Sequence, residues 1–206
     1  MTGGPIWLVR HAPTDWTGLR WCGRSDPSLN AAGREAAERL AAEIASDQAD
    51  LGRSSAAAVV LTSPLRRARE TAAAIARTIG HASVQVEPDL TEIDFGIADG
   101  LTWDELIAAY PDLAAAVLAG ASPDWPGGET KTQVASRARS STERILQAAE
   151  AHAVVVVSHA GLLCEITDLL LRAAIATWSF EPASALRLDL VGGLWVPAAK
   201  IPVGVG

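Results

Sequence analysis

Short apolar runs alternate with stretches of helical spacing along most of this chain. One run covers residues 6–9 without alternation, and another, "AVVVV", covers 153–157. Residues 56–63 are small or β-branched, and residues 83–88 alternate between polar and apolar. Runs of this length and composition predict strands, and the unbroken ones are typical of strands buried on both faces of a sheet.

Between the strands, apolar residues recur every three or four positions, which predicts amphipathic helices. One helix is predicted over 31–47, with Asn30 as its N-cap. The next is predicted to have Ser63 as N-cap, Pro64 at its first position and Gly80 as terminator. Further helices are predicted over 102–110, 112–120, from Thr130 or Thr132 to about Glu150, and over 162–174.

A hairpin is predicted over 185–190 and 194–198, turning at Gly192 and Gly193. Because strands alternate with helices before it, the chain is predicted to be a three-layer α/β/α sandwich with a mainly parallel sheet. No internal repeat or low-complexity linker interrupts the pattern. We therefore predict a single domain over 1–206, with a small cap or insertion at about 96–130.

Composition narrows the class of partner. The 206 residues carry a net charge of −7, which argues against nucleic acid and anionic membranes as main partners. No basic segment precedes an apolar stretch near the start, and no apolar run is long enough to span a membrane. The two cysteines, Cys22 and Cys164, do not form a zinc or disulfide pattern, so we expect a reducing, cytoplasmic location. The oligomeric state stays open, and an apolar helix or edge strand could support a homodimer.

Charged and polar side chains follow four predicted strands at the point where each strand ends. In an open parallel sheet, ligands bind outside the carboxyl ends of the strands, so these side chains should gather at one edge. They are Arg10 and His11 after the first strand, Ser63, Arg66, Arg67 and Arg69 after the second, Glu92 and Asp94 after the third, and Ser158, His159 and Gly161 after the fourth.

Together these residue types suit the handling of a phosphoryl group. Arginine forks match phosphoryl oxygens bidentately and do not titrate. A neutral imidazole can attack phosphorus, a second imidazole can donate a hydrogen bond, and a carboxylic acid can protonate the leaving oxygen. Taken alone, Arg10 and His11 could instead form a salt-bridged strand end. Arg66 and Arg69 are interpreted as solvated helix residues, Asp94 as structural, and His81 and His152 as surface residues.

Six stretches carry a resemblance to a known family: "LVRHAPTDW", "GRSDPSLNAAG", "TSPLRRARETA", "LTEIDFGIADG", "PGGET" and "VVVVSHAG". In this order they resemble the histidine phosphatase family, also called the phosphoglycerate-mutase-like family. The resemblance implies a six-stranded sheet with one antiparallel strand and a metal-independent reaction without a cofactor. It also implies that His11 is the nucleophile that becomes phosphohistidine, Glu92 the acid/base and His159 a second histidine of the phosphate pocket. Arg10 and Arg67 would bind the phosphoryl oxygens.

The chain departs from the family pattern beside the nucleophile. Ala12 replaces the usual Gly, and Thr17 stands where an Asn commonly contacts phosphate or substrate. Thr17, Arg24 and Trp21 are therefore the candidate substrate-binding residues, although Arg24 could equally anchor its loop through a salt bridge. The tryptophans expected to overhang the site, where one could stack on a flat substrate, are Trp16, Trp21, Trp103 and Trp125.

The resemblance favours a phosphomonoesterase that acts on a small phosphorylated metabolite. Two stretches, "GLRWCGRSDPSL" and "EIDFGIADGLTWDEL", are similar to the bacterial α-ribazole phosphatases of cobalamin assembly, which points to α-ribazole 5′-phosphate. A broad-specificity or sugar-phosphate phosphatase is an open alternative. A cofactor-dependent phosphoglycerate mutase is disfavoured by the short stretch between Glu92 and "GGET". A non-catalytic phospho-ligand sensor on the same fold is the alternative outside enzymology.

Overall fold

Six strands form one sheet in the computed structural model, which describes residues 3–52, 58–120, 123–172 and 179–202. Their order across the sheet is β3-β2-β4-β1-β5-β6. β5 runs antiparallel to both of its neighbours, and the pairs among the first four strands are parallel. The sheet with one antiparallel strand is therefore confirmed. The strands are β1 (Ile6–Arg10), β2 (Ala58–Thr62), β3 (Ala82–Val86), β4 (Ala153–Ser158), β5 (Ala185–Val191) and β6 (Leu194–Ile201).

Capping side chains mark where several helices begin. Asn30 Oδ1 accepts a hydrogen bond from the Gly33 N–H at 2.7 Å, and Thr102 and Thr130 each form a capping box with the third helical residue. The helices are α1 (Ala31–Asp50), α2 (Arg66–Ile79), α3 (Trp103–Ala109), α4 (Pro111–Leu118), α5 (Lys131–Ala149) and α6 (Ala160–Leu171). Within the described ranges, no helix is both long and apolar enough to cross a membrane.

Both faces of the sheet are covered, which produces the three layers. Successive residues of β1 point to opposite faces, so Trp7 and Val9 pack in the cluster with α1 and α2. Ile6 and Leu8 pack in the other cluster, with α5 and α6. This two-sided burial explains why the central strands are continuously apolar rather than alternating.

A third apolar cluster is separate from the two clusters that cover the faces of the sheet. It contains Phe95, Leu106, Trp125 and Val134, with Trp103 packed against it. The cluster therefore gives much of the segment over 96–130 a small core of its own. The division into one domain with a cap stays a prediction.

The predicted start of the second helix is wrong. Leu65 is extended, with ψ of 140°, and the helix begins at Arg66 instead of Pro64. Leu65 takes the N-cap position. The buried Ser63 hydroxyl instead contacts His159 Nε2 at 2.8 Å and accepts the Leu65 N–H. The predicted elements extend over residues 56–57, 121–122 and 173–174, which lie outside the described residues.

Candidate active site

Strand pairing brings the ends of β1, β2 and β4 together at one edge of the sheet. Arg10 lies opposite Ser158 across the β1–β4 pair. The His11 N–H then donates to Ser158 O at 3.0 Å, which extends the ladder by one residue. The rings of His11 and His159 consequently lie 5.1 Å apart between centroids. The two imidazoles that the sequence separates by most of the chain therefore share one site.

His11 presents an unprotonated ring nitrogen. Its Nδ1 lies 2.8 Å from the carbonyl oxygen of Ala12, and because a carbonyl can only accept, Nδ1 carries the proton. Nε2 therefore carries the lone pair. Burial lowers the pKa of His11 to about 3, and the charges of Arg67 and Arg10 act in the same direction. The ring is neutral at pH 7, as a nucleophilic imidazole must be.

The backbone around His11 is held from two sides. The Ala12 N–H donates to Thr71 Oγ1 on α2 at 3.0 Å, and the Ala183 N–H donates to His11 O at 3.1 Å. The residue is only 7% exposed. His11 is thus fixed in position before any substrate arrives, which lowers the entropic cost of bringing a reactive atom to it.

His159 is fully buried, and both of its ring nitrogens are bonded within the protein. Arg67 Nε donates to its Nδ1 at 3.2 Å, so Nε2 carries the proton and donates to Ser63 Oγ at 2.8 Å. Burial holds the pKa of His159 well below its usual range, with the charge of Arg67 adding to the effect. His159 is therefore a neutral donor, and its Nε2–H is the group it could offer to a phosphoryl oxygen.

Arg67 lies beside His159, as predicted, but most of its donors bind a turn. Its Nη1 donates to Ser25 O at 2.6 Å, and its Nη2 donates to Cys22 O and Gly23 O at 3.1 and 3.0 Å. The Arg67 side chain therefore ties the turn over 22–25 to the histidine pair, and places a buried positive charge behind both rings.

The Glu92 side chain packs against the first turn of α6. Its Oε1 accepts the N–H groups of Ile93 at 2.9 Å and Leu162 at 3.2 Å, and its Oε2 accepts that of Gly161 at 3.3 Å. The absence of a side chain at Gly161 makes this approach possible, because a Cβ there would lie 2.9 Å from Oε1. The helix start thus holds the carboxylate in one orientation.

Arg10 is half-buried at the end of β1. Its Nη1 donates to Phe180 O at 2.7 Å, and its buried Nε makes no hydrogen bond with the described residues. Burial lowers the pKa of Arg10, while the nearby charge of Glu92 opposes the shift. Arg10 therefore has donors left for an anionic ligand next to His11 and Glu92.

These groups open onto a cleft of about 460 Å³, a size suited to a small metabolite. Its polar floor includes Arg10, His11 and Glu92, and an aromatic wall is formed by Trp16, Trp21, Phe95 and Trp103. Arg67 and His159 are fully buried and are not among the described residues that line the cleft, so they lie behind its floor. The remaining lining residues are Thr14, Thr17, Gly18, Leu19, Arg20, Cys22, Ala160 and Gly161.

The predicted substrate-binding residues separate into two groups. Thr17 and Trp21 line the cleft, although Thr17 Oγ1 already accepts the Thr14 N–H at 2.9 Å. Arg24 does not line it, and instead pairs with Glu129 at 3.4 Å and Asp94 at 3.9 Å. Arg24 thus takes the loop-anchoring position that the sequence left open.

The four predicted tryptophans also separate. Trp16, Trp21 and Trp103 reach the cleft. Trp125 is buried behind them, with its ring 4.8 Å from Phe95 and 5.4 Å from Trp21 between centroids. It supports the wall instead of presenting a face to a ligand.

Sequence reasoning missed Arg137, which binds the backbone around Glu92. A signal for it was present in the helical spacing, because Val134, Ala138 and Ser141 form the buried face of α5 and position 137 falls on that face. Arginine on an apolar helix face indicates a specific partner, because such a charge is rarely buried unpaired.

Sequence reasoning also missed Arg20, at the mouth of the cleft, which donates to Gly100 O at 2.7 Å.

The sequence profile of the histidine phosphatase superfamily (branch 1) matches residues 6–198. The chain belongs to the histidine phosphatase superfamily. Three mycobacterial proteins of similar sequence, among them a bifunctional protein of Mycobacterium tuberculosis, are each 35% identical over 197 residues. That match covers 88% of this chain but only 52% of theirs, so the chain spans about half the length of these relatives.

Two further comparisons concern one relative of similar sequence and one solved structure of similar fold. Phosphoserine phosphatase 1 of Hydrogenobacter thermophilus is 32% identical over 154 residues, covering 74% of this chain and 69% of that protein. The solved structure of the alpha-ribazole phosphatase from Shigella flexneri superposes with a TM-score of 0.80 over 98% of both chains. Its identity is 21%, so this likeness shows the shared fold alone.

Proposed function

We propose that this protein is a phosphomonoesterase that acts through a phosphohistidine intermediate at His11. The observation that carries the proposal is the unprotonated Nε2 of His11, in one cleft with the Arg10 guanidinium and the Glu92 carboxyl group. A neutral nucleophile, a cation and a carboxyl group are the three parts that a two-step phosphoryl transfer needs.

In the first step, His11 Nε2 attacks phosphorus and the N–P bond forms as the ester P–O bond breaks. Glu92, in its protonated form, donates its proton to the leaving oxygen, which departs as an alcohol. The proton stays on His11 Nδ1 and remains hydrogen-bonded to the Ala12 carbonyl oxygen, whose dipole stabilises the positive charge of the phosphohistidine ring.

In the second step, water attacks phosphorus from the side that the alcohol has left. The Glu92 carboxylate accepts the proton of the water as the new P–O bond forms, and the N–P bond breaks. Inorganic phosphate leaves, His11 is again neutral and Glu92 is again protonated. The same carboxyl group thus serves both steps, acting first as acid and then as base.

The cations and the second histidine stabilise the charge that develops on the phosphoryl oxygens. Arg10 lines the cleft and binds those oxygens directly. Arg67 acts through its charge and through His159, whose Nε2–H would exchange Ser63 Oγ for a phosphoryl oxygen. Losing one such donor typically costs ~10²–10³ in turnover.

The aromatic wall supports a substrate whose alcohol part is flat or apolar. Three tryptophans line the cleft together with the phosphoryl floor, and tryptophan rings stack on planar groups. We therefore propose a small phosphorylated metabolite with a planar group, and α-ribazole 5′-phosphate is the specific candidate. We also propose a cytoplasmic location.

A substrate panel tests the proposal. Purified protein is assayed with α-ribazole 5′-phosphate, phosphoserine, sugar phosphates and 3-phosphoglycerate, each with and without 2,3-bisphosphoglycerate. We expect phosphate release without the bisphosphate, fastest for the planar substrate. Activity that depends strictly on 2,3-bisphosphoglycerate would show a mutase instead. Binding without turnover of any ester would show a sensor.

A further inference from the structure

Arg137 on α5 is almost buried, with a side chain 11% exposed, and its guanidinium is fully bonded. Its Nε and Nη2 donate to the two carboxylate oxygens of Glu129 at 2.9 and 2.8 Å. Three more bonds reach the carbonyls of Asp89, Thr91 and Glu92 at 2.8, 2.6 and 3.4 Å. All five N–H groups of this one side chain are therefore used, and three of them hold the backbone that carries Glu92.

Glu129 extends this clamp to the other side of Glu92. Its Oε2 accepts the Asp94 N–H at 2.9 Å, and its own N–H donates to Asp94 O at 3.0 Å. Burial alone would raise the pKa of Glu129, but the hydrogen bonds from Arg137 and from the Asp94 N–H lower it overall. The carboxylate thus stays ionised, and the backbone from 89 to 94 is held on both sides of Glu92.

The position of the Glu92 carboxyl group depends on that backbone. Its oxygens are held by N–H groups of the backbone, two of them at the start of α6. Such bonds form only while the segment over 89–94 keeps its distance from α6. A shift of about 1 Å at a reacting group can cost ~10²-fold in rate.

We propose that Arg137 is a positioning residue for the proton that Glu92 delivers to the leaving oxygen. The inference rests on the proposed function, because it assigns Glu92 the acid/base role. Arg137 is not among the described residues that line the cleft, and its N–H groups are all bonded within the protein. Its effect is therefore transmitted through Glu92 and should appear only where proton delivery matters.

The nature of the leaving group separates this role from simple support of the fold. An alkoxide is a poor leaving group and needs a proton as the P–O bond breaks. A p-nitrophenolate is stable as an anion and leaves without one. Misplacing Glu92 should therefore slow the first step for an alkyl ester much more than for p-nitrophenyl phosphate.

The test compares benzyl phosphate with p-nitrophenyl phosphate, two esters of similar shape, in wild type, Arg137→Gln and Arg137→Lys. The quantity is kcat/KM, because it reports the steps up to departure of the leaving group. We expect Arg137→Gln to lower kcat/KM for benzyl phosphate at least ~10-fold more than for p-nitrophenyl phosphate, within the ~10²–10⁴-fold that general acid catalysis supplies. The difference between the two esters in Arg137→Lys should lie between those of wild type and Arg137→Gln, because lysine keeps the positive charge but cannot form the two-pronged contact of a guanidinium.

Arg144→Gln is the matched control, because Arg144 lies two turns further along α5, where it is exposed and pairs with Glu87. It should leave the ratio of the two kcat/KM values unchanged. In a Glu92→Gln background, Arg137→Gln should produce no further change in that ratio. All assays are run below the thermal unfolding of each variant, and Arg137→Lys serves alone if Arg137→Gln does not fold.

Equal losses with both esters would overturn the positioning role, as would a ratio that still responds to Arg137 once Glu92 is replaced. Wild-type protein that hydrolyses neither ester would instead refute the proposed phosphatase activity. The two failures are thus distinguishable.

Discussion

The floor and the wall of the cleft are built by different forces. The floor, which comprises Arg10, His11 and Glu92, is held by hydrogen bonds to backbone groups from four parts of the chain. The wall comprises Trp16, Trp21, Phe95 and Trp103. Its rings pack on one another, with centroid distances of 5.2 Å between Trp21 and Phe95 and 5.8 Å between Trp21 and Trp103. Hydrogen bonds are directional and fix individual atoms, whereas apolar contacts tolerate rearrangement.

This difference indicates that chemistry and substrate choice are separable in this protein. Changes in the floor should lower turnover of every ester, because each ester uses the same phosphoryl group. Changes in the wall should alter the ranking of esters while leaving the reaction intact. This separation implies effects of graded size, the largest of them at the nucleophile.

Replacing the nucleophile should have the largest effect. His11→Asn keeps an amide N–H that can bond to the Ala12 carbonyl but removes the attacking Nε2. We expect turnover of every ester to fall at least ~10³-fold, as removal of other catalytic nucleophiles does. The measurement is phosphate release under saturating substrate. His81→Asn, at an exposed histidine, is the control and should match wild type; a His11 variant that does the same would contradict the mechanism.

A methyl group beside Glu92 should have the next largest effect. In Gly161→Ala, the Cβ would lie 2.9 Å from both Glu92 Oε1 and Ile93 Cδ1, so the carboxyl group must move. We expect kcat/KM for benzyl phosphate to fall ~10-fold or more, because the proton donor is displaced from the leaving oxygen. Gly18→Ala provides a contrast in the same cleft, because its strain comes from a backbone φ of 76° and not from a contact with Glu92. Equal values for the two variants would show that the placement of Glu92 is not limiting.

Truncating the wall should have a smaller and selective effect. Trp103→Ala removes one ring face, which is worth roughly 0.5–1.5 kcal/mol in aromatic pairs, or ~2–10-fold. We expect kcat/KM to fall by that factor for α-ribazole 5′-phosphate and to change little for phosphoserine, which has no ring. A uniform loss with both esters would show that the wall supports the floor instead of selecting the substrate.

Acidification should weaken the fold gradually through His11. Its pKa is about 3 in the folded protein and near 6.5 in an unfolded chain, so the unfolded state binds more protons between these values. The stability that this neutral histidine supports is therefore present above pH 6.5 and is lost as pH falls toward 3. The slope is up to about 1.4 kcal/mol per pH unit. The free energy of unfolding, measured with urea from pH 7 to pH 4, should fall less steeply with pH in His11→Asn than in wild type. Parallel curves for the two proteins would contradict the prediction.

Much of the fold was predictable because its central strands are short and unambiguous. Residues 153–157 can only be buried on both sides, and the caps at Asn30 and Thr130 are local signals that hold in the structure. The start of α2 was not predictable, because Ser63 is used by His159, a residue 96 positions away in the chain. A local capping rule does not include such a distant partner.

The candidate site was likewise predictable from the sequence only in part. Strand ends and motif order brought His11, Glu92 and His159 to one edge, which matches the structure. The donors of Arg67 could not be foreseen, because they depend on the path of the turn over 22–25. Arg137 was hidden for a similar reason, since its five acceptors come from residues scattered over 89–129 and no single motif contains them.

The central claim is that the phosphoryl group is transferred to His11 before it is transferred to water. Trapping the phosphohistidine intermediate tests this claim directly. Wild-type protein is mixed rapidly with p-nitrophenyl phosphate, quenched in alkali, where phosphohistidine is stable, and digested for mass spectrometry. The account predicts one phosphoryl group on the peptide containing His11, and none in His11→Asn. A phosphoryl group on His159 or Ser63, or turnover without any phosphoenzyme, would contradict it.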